Sequence, residues 1–256
     1  MLRKIARLVE ILGEPGAFRS LVSLRGNFSV SSFRLNASMA AYQPVFHTII
    51  DAGANVGQFA LAAAQRFPMA EIYCFEPVPD VYEILKSNIK NFAKITAYNY
   101  AVGSTTGKIP FYRHDYTPAS SAMVIQGDKE NHNRMNCDSK HTKTIEVDIF
   151  RLDDLISMLE INIEQPTLLK LDVQGYEKNV LQGAEKTLES IDYIALEATF
   201  VQLYENQPLF DELHEWLKSI GLELVAPLDT SKGVNRAIVE MDVLYRRIKQ
   251  KGSVSQ

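Results

Sequence analysis

The chain has 256 residues, 46% hydrophobic and 23% charged, with a net charge of −4. That length builds one sizeable core, or a core domain with an appended segment, and the composition excludes global disorder. The acidic balance supplies no phosphate-neutralising surface and so argues against a nucleic-acid partner. Two cysteines, Cys74 and Cys137, define no disulfide framework, and their scarcity fits a reducing, cytoplasmic setting.

Residues 1–44 are expected to form a helical extension, with a helix over 2–13 and a looser connection after Gly16. Its start is basic and apolar, but Glu10 interrupts it and no small-residue cleavage site follows, so no signal peptide is expected. No apolar run reaches the length of a membrane span. Arg3, Lys4 and Arg7 beside Leu2, Ile5 and Leu8 suit peripheral contact with an anionic membrane, docking onto the rest of the chain, or a dimer contact.

From residue 45 onward strand-like and helix-like segments alternate, which predicts an α/β fold with a parallel sheet and helices on both faces. Strands are expected over 45–51, 71–75, 94–102, 167–171 and 192–196, and helices over 57–67, 79–92, 176–188 and 208–220. Segments 222–226 and 237–245 read as a closing strand pair joined by a turn at Gly233. The stretch 104–164 breaks the alternation with strand-like pieces at 108–113 and 142–149 around a polar middle. It is expected to be a substrate-side insertion within a domain spanning 45–248, with 249–256 a flexible tail.

The most informative stretch is Ile49-Ile50-Asp51-Ala52-Gly53-Ala54-Asn55-Val56-Gly57. A strand running into a glycine-bearing turn and a helix N-terminus brings backbone N–H groups up to a nucleotide-like ligand. Gly53 and Gly57, lacking Cβ, are expected to allow close approach, and Asn55 to brace the loop. An acid at position 51 would repel a pyrophosphate but suits an amino group. Glu76 ends the next strand, where an acid accepts hydrogen bonds from ribose hydroxyls. A nucleoside carrying a cationic amino-acid tail satisfies both acids, and S-adenosyl-L-methionine is that molecule.

The Asp51–Gly57 loop, Phe75-Glu76-Pro77, Asn99-Tyr100-Ala101-Val102-Gly103 and Leu169-Lys170-Leu171-Asp172-Val173-Gln174-Gly175-Tyr176-Glu177 together resemble the FkbM-type methyltransferases. The resemblance covers residues 45–225, with Gln174 where that family more often has Glu and Tyr176 where it often has Ala. It implies a Rossmann-like class I methyltransferase fold: a mostly parallel seven-stranded sheet with an antiparallel C-terminal hairpin strand. It also implies S-adenosylmethionine as cofactor and O-methylation of a sugar, glycolipid or secondary metabolite. Asp51 would support the methionine end, and Ala101 and Val102 would line the adenine. Small-molecule or glycan acceptors are the expected partners.

Asp172 and Glu197 stand at the C-terminal ends of strands four and five, the rim at which open α/β sheets bind ligands. Each is a candidate general base or acceptor-orienting group, or else satisfies loop N–H groups. His114, His132 and His141 fall in the insertion; His114 is the imidazole retained as a candidate base, and the spacing matches no metal-ligand pattern. Ser120 and Ser121 belong either to the acceptor pocket or to a turn. Two other functions share parts of this pattern. A catalytically silent S-adenosylmethionine-binding module would keep Asp51 and Glu76, and a nicotinamide-dependent oxidoreductase would need phosphate-contacting glycines without Asp51.

Overall fold

The computed structural model describes residues 29–115, 119–125, 142–233 and 236–248. The helix expected over 2–13 with its basic stripe, the tail, Cys137, His132 and His141 lie outside the described residues.

Helix α1 (Val30–Tyr42) precedes the first strand, where the sequence was expected to give only a loose connection. Ser29 caps it by accepting the Ser32 N–H at 3.2 Å. Its buried stripe is thin, Phe33, Asn36, Met39 and Ala40, and is interrupted by a polar residue. That weak periodicity hid it. Strand β1 (Thr48–Ala52), α2 (Gln58–Arg66), β2 (Glu71–Phe75), α3 (Pro79–Ile89) and β3 (Ile95–Tyr98) then follow the expected alternation.

The expected third strand breaks in two. β3 ends at Tyr98, and β4 (Ala101–Gly103) joins a separate three-stranded sheet with β5 (Gly107–His114) and β6 (Thr142–Arg151). At the break, Asn99 Nδ2 donates to the carbonyls of Glu76 (2.8 Å) and Pro77 (3.0 Å), pinning the chain to the end of β2 instead of to its flank. The insertion is therefore an ordered sheet in its described part, with β5 and β6 antiparallel and β4 parallel to β6. A short helix, α4 (Leu152–Met158), closes it.

Next come β7 (Thr167–Leu171), α5 (Glu177–Gln182), a 3-10 turn (Thr187–Ser190), β8 (Tyr193–Thr199), α6 (Phe210–Ser219), β9 (Leu222–Lys232) and β10 (Ile238–Arg247). The single helix expected over 176–188 stops early because Gly183 lies against β4. A Cβ there would sit 1.8 Å from the Gly103 carbonyl oxygen.

The main sheet has the order β3-β2-β1-β7-β8-β10-β9, parallel except for β10, which runs antiparallel to both neighbours. Alternation along each strand feeds two cores. Ile50, Ala52, Leu169, Leu171, Ile194 and Leu196 pack on one face under α4, α5 and α6. Ile49, Ile72, Cys74, Leu168 and Ala195 face the opposite side, under α1, α2 and α3. β1, β7 and the inner part of β8 are thus buried on both faces, which explains their near-continuous apolar runs. The exception inside those runs is a facing pair of charges, Asp51 on β1 and Lys170 on β7.

Candidate active site

The loop after β1 is tied to β2 by the Gly53 and Ala54 N–H groups, which donate to the Phe75 carbonyl at 3.0 and 3.1 Å. Gly53, Asn55 and Gly57 all have positive φ (81°, 48° and 88°). A Cβ on Gly53 would lie 1.9 Å from the Asp172 carbonyl oxygen, and one on Gly57 would lie 2.6 Å from Leu85 Cδ1. Glycine is thus demanded here by protein packing, where the sequence had been read as clearing room for a ligand. Asn55 braces the turn through Oδ1, which accepts the Val56 N–H at 2.8 Å.

Glu76 is 6% exposed, and its two oxygens divide their work. Oε2 accepts the Asn55 N–H and Oε1 the Val78 N–H, both at 2.9 Å. Burial pushes its pKa up to about 7, with the two N–H donors opposing the rise. A carboxylate oxygen has lone pairs beyond one hydrogen bond, so Glu76 retains acceptor capacity on the cavity it lines.

Asp51 is wholly buried, and its partner is a protein cation. Lys170 Nζ lies 3.0 Å from Asp51 Oδ1, donates to the Gly53 carbonyl at 3.2 Å, and stands 3.5 Å from Asp172 Oδ2. It also sits 5.4 Å above the Phe59 ring. Burial draws the Lys170 pKa down, but the charges of Asp51 and Asp172 outweigh that and hold it well above the ordinary lysine range. Lys170 went unassigned in the sequence, although a lysine between Leu169 and Leu171 in a buried strand is itself a signal that a partner charge faces it.

Beyond β7, the carboxylates of Asp172 and Glu197 meet through Gln174. Its Nε2 donates to Asp172 Oδ1 at 2.8 Å and to Glu197 Oε2 at 3.1 Å. The Asp172 side chain is 44% exposed. Burial, then the neighbouring Asp172 charge, drives the Glu197 pKa well above the carboxylate range. The loop under them is braced by buried Glu177, whose Oε1 accepts the N–H groups of Val173 and Gly175, each at 3.2 Å.

Two cavities open along the C-terminal rim of the sheet. The narrower is lined by Glu76, Tyr100, Ala101, Val102, Val173 and Tyr176 among others. The wider is bounded by α1, the start of α2 and the ends of β8, β9 and β10. Four residues line both: Gly53, Asn55, Asp172 and Glu197. The wide cavity carries further carboxylates, Asp115, Asp229, Glu240 and Asp242, with Lys170 the one cation among its lining residues. Ser120 belongs to the narrow wall, while Ser121 donates from Oγ to the Gln174 carbonyl at 2.6 Å.

His114 closes β5, is 2% exposed and lines neither cavity; its N–H donates to Ser120 Oγ at 2.9 Å. The structure thus brings together Asp51, Gly53, Asn55, Glu76, Ala101, Val102, Asp172 and Glu197 around one rim and leaves His114 behind it. No helix among the described residues is long and apolar enough to cross a membrane.

A seven-stranded sheet with one antiparallel strand, and a glycine loop and acid at the ends of its first two strands, define the class I S-adenosylmethionine-dependent methyltransferase fold. Residues 51–224 match the model of the methyltransferase FkbM domain, and the chain belongs to that family. It is 29% identical over 204 residues to the 2-O-methyltransferase NoeI of Sinorhizobium fredii, covering 78% of this chain and 79% of that one. It is 28% identical over 160 residues to methyltransferase 1 of Beauveria bassiana, covering 58% of this chain and 63% of the fungal protein's length. The 31-O-demethyl-FK506 methyltransferase FkbM of Streptomyces tacrolimicus is 24% identical over 199 residues, covering 71% and 74%.

Proposed function

We infer that this chain O-methylates a hydroxyl of a polar small molecule or glycan, with S-adenosylmethionine in the narrow cavity and the acceptor in the wide one. The observation that carries this reading is the junction of the two cavities at Gly53, Asn55, Asp172 and Glu197. A transferase must present donor and acceptor to each other across a shared boundary, and a binding module has no need of one. The names of two relatives, a 2-O-methyltransferase and a 31-O-demethyl-FK506 methyltransferase, support oxygen as the methyl acceptor.

The residues fit the cofactor. Glu76 offers acceptor lone pairs to ribose hydroxyls, and Ala101 and Val102 offer an apolar wall to an adenine ring. α2 begins without a side-chain cap, and its first residues, Gln58 and Phe59, line the wide cavity. Its N–H groups suit the carboxylate of the amino-acid tail, which would cross from the narrow cavity past Gly53 and Asn55 to reach them. In this reading Asp51 acts at one remove: it anchors Lys170, which in turn holds the Gly53 carbonyl and faces Asp172. When bound, S-adenosylmethionine supplies an electrophilic methyl group on a positively charged sulfur.

Asp172 is the proton acceptor in this proposal. It stands at the junction, is partly open to solvent, and has Lys170 Nζ 3.5 Å from its Oδ2. Asp172 would take the acceptor's hydroxyl proton as the oxygen–methyl bond formed and the sulfur–methyl bond broke, S-adenosylhomocysteine leaving with that electron pair, and would then return the proton to water. Glu197, its pKa raised by burial and by the neighbouring Asp172 charge, is the neutral partner that donates toward the acceptor oxygen. The acidic wall of the wide cavity favours acceptors that are uncharged or cationic where they touch it.

The test is transfer of labelled methyl from S-adenosylmethionine to a panel of neutral glycans, amino sugars and uronic acids. Labelled methyl ethers on neutral or amino-bearing acceptors support the reading. Label on nitrogen or carbon, or cofactor binding with no transfer to any acceptor class, overturns it in favour of another methyl acceptor or a silent binding module.

A further inference from the structure

We propose that Gln174 is the positioning residue of this site: its amide, locked from behind by Tyr204, ties Asp172 to Glu197 and holds both carboxylates at the junction of the two cavities. The inference rests on the reading of Asp172 as proton acceptor and goes beyond it, because it names the group that holds Asp172 and Glu197 in place.

An amide nitrogen has two hydrogens, and in Gln174 each has a destination, Asp172 Oδ1 at 2.8 Å and Glu197 Oε2 at 3.1 Å. Which end of an amide faces which way is decided by the network around it. Here the Tyr204 hydroxyl settles the matter by donating to Gln174 Oε1 at 2.9 Å. Tyr204 is 1% exposed, so it cannot swing away to release the amide. A flipped amide would aim its carbonyl at two carboxylates and its N–H groups at a hydroxyl. The backbone is held as firmly: Ser121 Oγ donates to the Gln174 carbonyl at 2.6 Å, and Gln174 keeps φ at 55°, a conformation uncommon for any residue except glycine. A strained backbone fixed by a buried hydroxyl, with a side chain fixed by another, aims one nitrogen between two carboxylates.

The surrounding charges then differ on the two sides. Asp172 has Lys170 of β7 at 3.5 Å from its free side. After burial, the groups that raise the Glu197 pKa are acids: Asp172, then Glu240 and Asp242 of β10, then Glu177 of α5. A neutral cross-link between the two adds no further negative charge beside Glu197. A third carboxylate at position 174 would remove both N–H donors and add repulsion to each partner.

The experiment follows the carboxyl carbons of Asp172 and Glu197 by NMR titration in the full chain saturated with S-adenosylhomocysteine, for the native protein and for Gln174→Met, Gln174→Glu and Tyr204→Phe. In the native protein the Glu197 midpoint should stand well above the ordinary carboxylate range. Gln174→Met, which removes the N–H donor from Glu197 Oε2, should raise that midpoint by about one unit or more, Gln174→Glu should raise it further, and Tyr204→Phe should raise it less. Tyr204→Phe, at a residue that lines neither cavity, should change affinity for S-adenosylhomocysteine by less than about threefold. Should the glutamate variant fail to fold, the methionine and phenylalanine variants decide alone. Midpoints within about 0.3 unit of native in every folded variant overturn the assignment of Gln174. Undiminished methyl transfer by Asp172→Asn would instead overturn the role of Asp172, whatever the Gln174 variants do.

Discussion

Gly53 lies directly beneath the main-chain carbonyl of Asp172, so close that a single added carbon would stand 1.9 Å from that oxygen. The contact joins the loop after β1 to the loop after β7, the two loops at which the cavities meet. Gly53→Ala should therefore do two things at once. It forces a side chain into a backbone with φ of 81° and pushes the Asp172 loop outward. A loss of stability exceeding about 2 kcal/mol is expected, since the positive φ alone costs ~1–2 kcal/mol. Denaturant melts measure it, and an unchanged midpoint would show that the two loops are not in contact.

Lys170 gives a second prediction. Lys170→Met leaves Asp51 buried with no counter-charge, which should cost about 3–5 kcal/mol. Replacing both, Asp51→Asn with Lys170→Met, should recover most of that loss, because the burden is the unpaired charge and not the missing contact. A double variant as unstable as the single one would refute the pairing.

Glu76 makes the cofactor site pH-sensitive. Its folded pKa of about 7 is raised above the ordinary 4.5, so the unfolded chain ionises first as pH rises. Stability from this group is complete below about pH 4.5, falls as pH climbs through about 7, and is level above that; the span is on the order of 3 kcal/mol. Ribose hydroxyls donating to the ionised carboxylate should draw its pKa back down. Binding of S-adenosylhomocysteine at pH 7 should accordingly release protons, measured by calorimetry in buffers of different ionisation enthalpy. Proton uptake would mean that the ligand meets the neutral acid.

Asp172→Asn keeps the shape of the side chain and its hydrogen bond to Gln174 in part, but it cannot take a proton. Turnover should fall by about 10²–10⁴-fold while affinity for S-adenosylhomocysteine stays nearly constant. Equal losses in both would place Asp172 among the cofactor contacts.

The alternating elements from β1 to α3 and the closing strand pair were readable from the sequence, because buried strands and amphipathic helices write their period into the residues. Glu76 and Asp172 follow β2 and β7 directly, as the sequence suggested, whereas Glu197 lies inside β8, which runs on to Thr199. What escaped was non-local. β3 and β4 read as one strand until Asn99 is seen pinning the chain to Glu76 and Pro77. Helix α1 has too narrow a buried stripe to announce itself. The salt bridge between Asp51 and Lys170 depends on the register of two strands whose sequences lie far apart, and Gln174 looked like a neutral departure from a motif until both of its neighbours were in place. His114 looked available in the sequence and is shielded in the fold, since nothing in a single strand reveals what will cover it.

The most direct measurement of the account is isothermal calorimetry of the full chain with S-adenosylhomocysteine and with NAD. The account predicts one saturable site for S-adenosylhomocysteine, weakened by about 1–3 kcal/mol in Glu76→Ala, and no binding of NAD. Tight NAD binding together with no heat from S-adenosylhomocysteine at roughly millimolar concentration would contradict it, because an affinity weaker than that supplies less than ~4 kcal/mol and cannot represent the site described.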